Sequence, residues 1–188
     1  LSTAGLLRVL DRVHVSTMLC SHMQCMSADT DWGNEELLRH MQAASGRILG
    51  YASVFPSSPG MVRTRVAHCF ESGFCGLKLH DANHFPYDDT AYEPAYELAH
   101  DKASPVLLHT WGDPDEFAAA VGVAKSYPNL TIILAHGGSS NPDGYIETAL
   151  AAPNIVIDTC FSRCPPGLVE YLVRGAGADK IVFGSDAY

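Results

Sequence analysis

Five apolar runs in this chain end on a residue able to do chemistry. His80 follows GLKL, His109 follows PVLL, His136 follows TIILA, Asp158 closes NIVID and Asp186 follows IVFGS. A single histidine of this kind is usually a hydrogen-bonded structural residue, and a single aspartate a cap. Five in succession, 22 to 29 residues apart, form a pattern. Neutral imidazole and carboxylate are ligands for a divalent metal, and zinc is the expected ion. A bound metal lowers the pKa of its water to about 7. A nearby carboxylate or imidazole can then move the proton. The chemistry predicted from these residues is therefore a metal-assisted mouth at one end of a sheet, centred on His109, His136 and Asp186.

The elements that would bring them together are legible. Seven apolar runs, VHVSTMLC, RILGYASVF, GFCGLKLH, SPVLLH, NLTIILAH, NIVID and DKIVFGSD, have the continuous character of strands buried on both faces of a parallel sheet. Helix signals lie between them. Asn34 is positioned to cap EELLRHMQAAS, with Gly46 beyond its end. Ser58-Pro59 opens a segment with Val62, Val66, Cys69 and Phe70 on one face, and Asp113-Pro114 opens another with Phe117, Ala120, Val121 and Ala124. Pro165-Pro166 begins the last, packing through Leu168, Tyr171 and Leu172. DTDWGNE and DANHFPYDD read as loops.

Strand followed by helix, repeated, is the rhythm of right-handed βα units. An open doubly wound sheet would be expected to carry a glycine-rich phosphate turn, and neither GxGxxG nor GxxxxGK[ST] occurs. The predicted fold is α/β, a (β/α)8 TIM-type barrel with seven strands visible. In such a barrel the C-terminal strand ends converge on the active site.

Composition narrows the partners. Twelve Lys and Arg against 21 Asp and Glu give a formal net charge of −9, and 47% of residues are hydrophobic. The chain is globular, and its acidity argues against nucleic acid or an anionic membrane surface. No apolar run approaches the roughly 20 residues of a bilayer span. The expected partner is a small-molecule substrate, with self-association into a homo-oligomer left open. The six cysteines form no CxxC pair and sit mostly in apolar runs, so they read as buried thiols in a reducing cytoplasm. A zinc site through Cys160 and Cys164 is the minor reading.

GLKLH, PVLLHTWGDPDEF, YPNLTIILAHGG and DKIVFGSDAY, in that order and spacing, resemble strands four, five, six and eight of the amidohydrolase-related family. The likeness is to the branch of the amidohydrolase superfamily that includes aminocarboxymuconate-semialdehyde decarboxylase. GRILGYASVFP and AYEPAYELA extend it over almost the whole chain. The resemblance implies that His109 is the strand-five metal ligand and that His136 contacts substrate or assists proton transfer. It implies that Asp186 binds metal and acts as a base. Parts of the superfamily use a bridging lysine modified by carbon dioxide. Lys78, on the face of His80 by strand alternation, is the candidate; the alternative is a buried lysine paired to an acid. His80, Trp111 and Arg163 are candidate substrate contacts, Arg163 as a clamp for an acid, and Phe161 is a further pocket aromatic.

The family's first-strand HxH pair has no counterpart, since the sequence contains no HxH. A whole barrel typically has about 250 residues. Residues 1–188 are therefore expected to be one barrel domain, an internal piece of a longer chain. Three functions compete. The first is a hydrolase in which metal-activated water attacks an amide, ester or lactone. The second is a metal-dependent, non-oxidative decarboxylase of a small unsaturated or aromatic acid. The third is a degenerate barrel that only binds. The sequence favours the hydrolase.

Overall fold

The computed structural model describes residues 2–27, 29–56, 58–160 and 163–186. Seven strands form one sheet: β1 (Met18–Cys20), β2 (Ile48–Ser53), β3 (Gly76–Leu79), β4 (Pro105–Leu108), β5 (Thr131–Leu134), β6 (Ile155–Asp158) and β7 (Ile181–Val182). Their order in the sheet is their order in the chain, and each pairs in parallel with the next. The described residues also form eight α-helices. They are α1 (Thr3–Arg12), α2 (Gln24–Ser27), α3 (Thr30–Ala43), α4 (Pro59–Glu71), α5 (Glu93–Asp101), α6 (Pro114–Ser126), α7 (Pro142–Ala151) and α8 (Leu168–Ala176). A parallel sheet in sequential strand order with crossover helices is the TIM-barrel architecture. No helix is long and apolar enough to cross a membrane among the described residues.

The strands alternate in burial, and that assigns their faces. In β4, Val106 and Leu108 are fully buried while Pro105 and Leu107 keep partial exposure. In β5, Ile132 and Leu134 are buried while Ile133 is less so. The buried set packs against the helix stripes: Val62 and Val66 of α4, Ala95 and Ala99 of α5, Ala120 and Ala124 of α6, Leu168 and Leu172 of α8. The other set faces the barrel interior. Register carries that face across the sheet, because Ser53 pairs with Lys78, Lys78 with Leu107, Leu107 with Ile133, and Ile133 with Val156.

Three local expectations are corrected. Asp29, not Asn34, caps α3: its Oδ1 accepts from Trp32 N at 3.0 Å, so DTDWGNE is mostly helix rather than loop. Asn34 lies inside α3, buried, where its amide donates to Ser53 O at 2.7 Å and accepts from Ser53 N at 3.0 Å. The first strand begins at Met18 rather than in VHVS. Val15 N donates to Leu10 O at 2.9 Å and His14 turns at φ 56°, so α1 and its terminal turn consume those residues. Tyr171, expected to pack, is 43% exposed on α8, where its hydroxyl bonds Asp143. Gly167 rather than the Pro pair immediately precedes α8, at φ 86°. All six cysteines are free thiols; five are buried or partly so, and Cys164 is exposed.

Candidate metal centre

Parallel register puts the predicted histidines side by side. Leu79 pairs with Leu108, so His80 and His109 leave β3 and β4 at the same level. His109 N donates to Leu79 O at 3.1 Å, one further rung of that ladder. The two imidazoles stack with centroids 3.8 Å apart. Tyr87 donates its hydroxyl hydrogen to His109 O and anchors the turn from below.

His136 reaches the same point differently. Simple alternation after Leu134 would place Ala135, not His136, on the interior face. His136 instead adopts a left-handed backbone, φ 57°, which breaks the alternation at the strand end. Gly137 follows where no side chain fits, since a Cβ there would lie 2.4 Å from Ile157 Cγ2 and 2.7 Å from Asp158 O. The backbone amide of Gly137 donates to Asp158 O at 2.8 Å and holds the turn.

The hydrogen bonds of His136 settle the tautomers. Its Nδ1 lies 2.9 Å from Cys160 O, which can only accept, so Nδ1 carries the proton. Its Nε2 is then an acceptor, and it lies 3.2 Å from His109 Nδ1. His109 must therefore donate from Nδ1, which leaves its Nε2 as a lone pair with no hydrogen bond among the described residues. Desolvation pushes the His109 pKa down to about 2, with the positive charges of Lys78, His80 and His136 adding to the effect. The ring is neutral at any physiological pH, and its partner fixes which nitrogen is free. This is the arrangement by which a buried hydrogen bond orients a metal-binding imidazole.

Asp81, the residue after His80, is the member that the sequence reading missed. Among the described residues, His80, Asp81 and His109 form the one group of three or more His, Cys, Asp or Glu donors lying within 4.8 Å of one another. Asp81 opens a short 3-10 turn, Asp81–Asn83, for which His80 is the N-cap. His80 Nδ1 lies 3.0 Å from both Asp81 Oδ1 and Ala82 N. A proton on Nδ1, shared with Asp81, would leave His80 Nε2 as a second free lone pair. Desolvation and Lys78 lower the His80 pKa, partly offset by Asp81. Two neutral imidazoles and a carboxylate are donors suited to a first-row divalent cation.

The remaining predicted residues fall into two groups. Trp111 is at the site: it stacks on His136 at 4.5 Å and meets His109 edge-on at 5.2 Å. Its backbone is pinned, N–H to Glu116 Oε2 at 2.9 Å and C=O to the Ser140 hydroxyl. Lys78 lies one turn of the pleat below His80, 7% exposed, and makes no ion pair or hydrogen bond among the described residues. The expected pairing of a buried lysine to an acid is thus absent there. Desolvation pushes its pKa down to about 8, opposed by the fields of Cys160, Asp158, Asp186 and Asp81.

Asp186 stands at the same end of the sheet, exposed, at φ 49°, and it is not in the three-donor group. Asp158 is buried, with Oδ1 accepting from Cys160 N at 2.9 Å, and burial raises its pKa. Arg163 is exposed in a turn and makes no hydrogen bond or ion pair among the described residues. Phe161 lies outside the described residues. Cys160 and Cys164 make no metal group among the described residues; Cys160 Sγ sits 3.6 Å from His136 Nδ1 instead.

Solved structures share this fold. A putative amidohydrolase from Staphylococcus aureus superposes with a TM-score of 0.79 at 14% identity, over 97% of this chain and 79% of that one. A 2,6-dihydroxybenzoate decarboxylase from Rhizobium gives 0.74 at 18%, over 95% and 75%. A dihydroxybenzoic acid decarboxylase from Polaromonas sp. JS666, with bound manganese and the inhibitor 2-nitroresorcinol, gives 0.71 at 19%, over 95% and 73%. At these identities the likeness establishes the fold. No curated protein sequence matches the chain. The model of one family, described as Amidohydrolase, matches residues 13–188, and with the barrel and its histidine-lined mouth this establishes that the chain belongs to the amidohydrolase family.

Proposed function

We propose that this barrel is a metal-dependent, non-oxidative decarboxylase of a small unsaturated or aromatic acid, in preference to the hydrolase that the sequence favours. The observation that carries this reading is the His80–Asp81–His109 donor group beside the exposed ring of Trp111. Support comes from the decarboxylases that share the fold, one of them holding manganese. The lack of an assigned position for a second catalytic imidazole also weighs against hydrolysis. His136 spends both ring nitrogens on Cys160 O and His109 and is 4% exposed, so it is a poor shuttle for water protons.

His80, Asp81 and His109 would hold the metal, with manganese favoured over zinc. When bound, it supplies positive charge against the acid's oxygens. His136 is a positioning residue that keeps His109 Nε2 free. Trp111 offers its face to a planar substrate and shields it from water. Asp186, outside the donor group and at the open rim, supplies the proton, rather than serving as the ligand that the resemblance implies. The carboxyl hydrogen of Asp186 passes to the carbon bearing the carboxylate. The electron pair of the breaking C–C bond returns to the unsaturated system, carbon dioxide leaves, and Asp186 recovers its proton from solvent. Membership of the branch containing aminocarboxymuconate-semialdehyde decarboxylase is consistent with this chemistry and forms part of the proposal.

The test is incubation of the manganese-loaded chain in deuterated water with a panel of carboxyl-13C hydroxybenzoates and unsaturated acids, alongside esters and lactones. The expected result is 13C-labelled carbon dioxide with one deuteron at the vacated carbon, abolished by chelation. Ester or lactone turnover with no carbon dioxide release from any acid would overturn the reading in favour of hydrolysis.

A further inference from the structure

On the β2–β3 side of the mouth lies a cleft of about 290 Å³ bordered by Met26, Ser53, Phe55, Lys78, His80 and Asn83. Two groups in it are left without a partner. Lys78 is 93% withdrawn from solvent, yet no acid or carbonyl among the described residues bonds its ammonium. Ser53 Oγ is the buried side-chain polar atom with no hydrogen-bond partner among the described residues. The two are β-sheet neighbours in register, Ser53 on β2 and Lys78 on β3, and both point to the interior face. Adjacent strands are about 4.8 Å apart, so one small ligand can meet both.

The backbone of Ser53 needs nothing further, because Asn34 bonds both its N–H and its C=O. Only the hydroxyl is spare. It lies by the Cys25 thiol, which its influence would help to ionise, but Cys25 Sγ bonds Thr30 O and Asn34 Oδ1 instead. Buried polar groups are nearly always paired, and an unpaired one costs about 1–3 kcal/mol, more if charged. Two such orphans in register and lining one cleft are what a ligand site looks like without its ligand.

Their chemistry specifies the ligand. An ammonium and a hydroxyl both donate, so the ligand brings acceptors and negative charge. One cation surrounded by the fields of Asp81, Asp158 and Asp186 suits a monoanion rather than a dianion. Val54, Phe55 and Met26 give the rest of the cleft an apolar wall, and Phe55 is buttressed edge-on by Phe85 at 6.0 Å. We infer that Ser53 and Lys78 form the subsite that holds the carboxylate of a planar, monoanionic acid, its ring lying along Phe55 and Met26. Lys78 acts as a free ammonium there and not as a carbon dioxide adduct. The inference names the substrate class of the proposed decarboxylase and rests on that reading for its biological meaning, though not for its test.

The test is calorimetric titration of the chelator-treated full chain with benzoate and with its neutral isostere benzamide. Benzoate should bind at least tenfold more tightly than benzamide. Lys78→Met, which keeps the length without the charge, should weaken benzoate at least tenfold. Ser53→Ala should weaken it about three- to tenfold while unfolding at or above the wild-type midpoint, since it removes an orphan hydroxyl. Equal benzoate affinity in wild type and both variants, no benzoate binding at all, or a 13C-bicarbonate-derived carbamate resonance lost in Lys78→Met would each overturn the inference. Decarboxylation with unchanged KM in Lys78→Met would sink the subsite and leave the proposed function standing. Lys78-dependent benzoate binding in a chain that decarboxylates nothing would do the reverse.

Discussion

Replacing His136 by Asn isolates what the His136–His109 hydrogen bond does. Asn tolerates the left-handed backbone that φ 57° imposes, so the turn should survive. The shorter side chain cannot span both Cys160 O and His109 Nδ1, which the imidazole reaches at 2.9 and 3.2 Å. His109 then loses the acceptor that fixes its tautomer. Removing such an orienting partner typically costs 10- to 100-fold in metal affinity, which is about 1.4–2.7 kcal/mol. Fold stability should fall separately by about 1–3 kcal/mol, because Cys160 O is left buried without its donor. Manganese titration by calorimetry reads the first effect, and urea unfolding with chelator present reads the second. The reasoning fails if manganese binds His136→Asn within twofold of wild type while His109→Ala abolishes binding.

Three further outcomes follow from the packing. Asp158 has a folded pKa raised by burial above its unfolded value, so its contribution to stability is present below the unfolded pKa and is lost as pH rises through the folded one. Asp158→Asn, which keeps an Oδ1 acceptor for Cys160 N, should therefore unfold at higher urea than wild type at pH 7. That advantage should vanish near pH 3; an equal advantage at both pH values would contradict it. Gly137→Ala drives a methyl to 2.4 Å from Ile157 Cγ2 and should cost about 1–3 kcal/mol, visible as a lower melting temperature. Asn34→Ala strands the buried N–H and C=O of Ser53 and should cost about 2–4 kcal/mol in denaturant unfolding, whereas an unchanged midpoint would show that water replaces the amide.

The barrel was legible because its strands advertise themselves: GLKL, PVLL and TIIL are short, apolar and closed by a polar residue, and each is a strand. Sequential parallel order then forces His80 and His109 together although 29 residues separate them. Less legible was anything set by backbone conformation. His136 reaches the cluster through a left-handed turn that alternation does not foresee. Asp81 was passed over as part of a loop, although a His-Asp step at a strand end is a visible signal. Asn34 looked like a helix cap because its type is that of a cap, but its amide is consumed by the backbone of β2 across the helix–sheet interface. Arg163, proposed from its place after β6, is exposed and unengaged among the described residues, since nothing local in a turn dictates where a long side chain points. The orphan hydroxyl of Ser53 is visible only once the packing is known.

The claim on which the rest depends is that His80, Asp81 and His109 hold a divalent ion. Anomalous diffraction from crystals of the manganese-loaded chain tests it directly. The account predicts one strong peak at the C-terminal mouth of β3 and β4, in bonding contact with nitrogen from both histidines and oxygen from Asp81. A manganese peak elsewhere, or none at full manganese occupancy of the buffer, would contradict it.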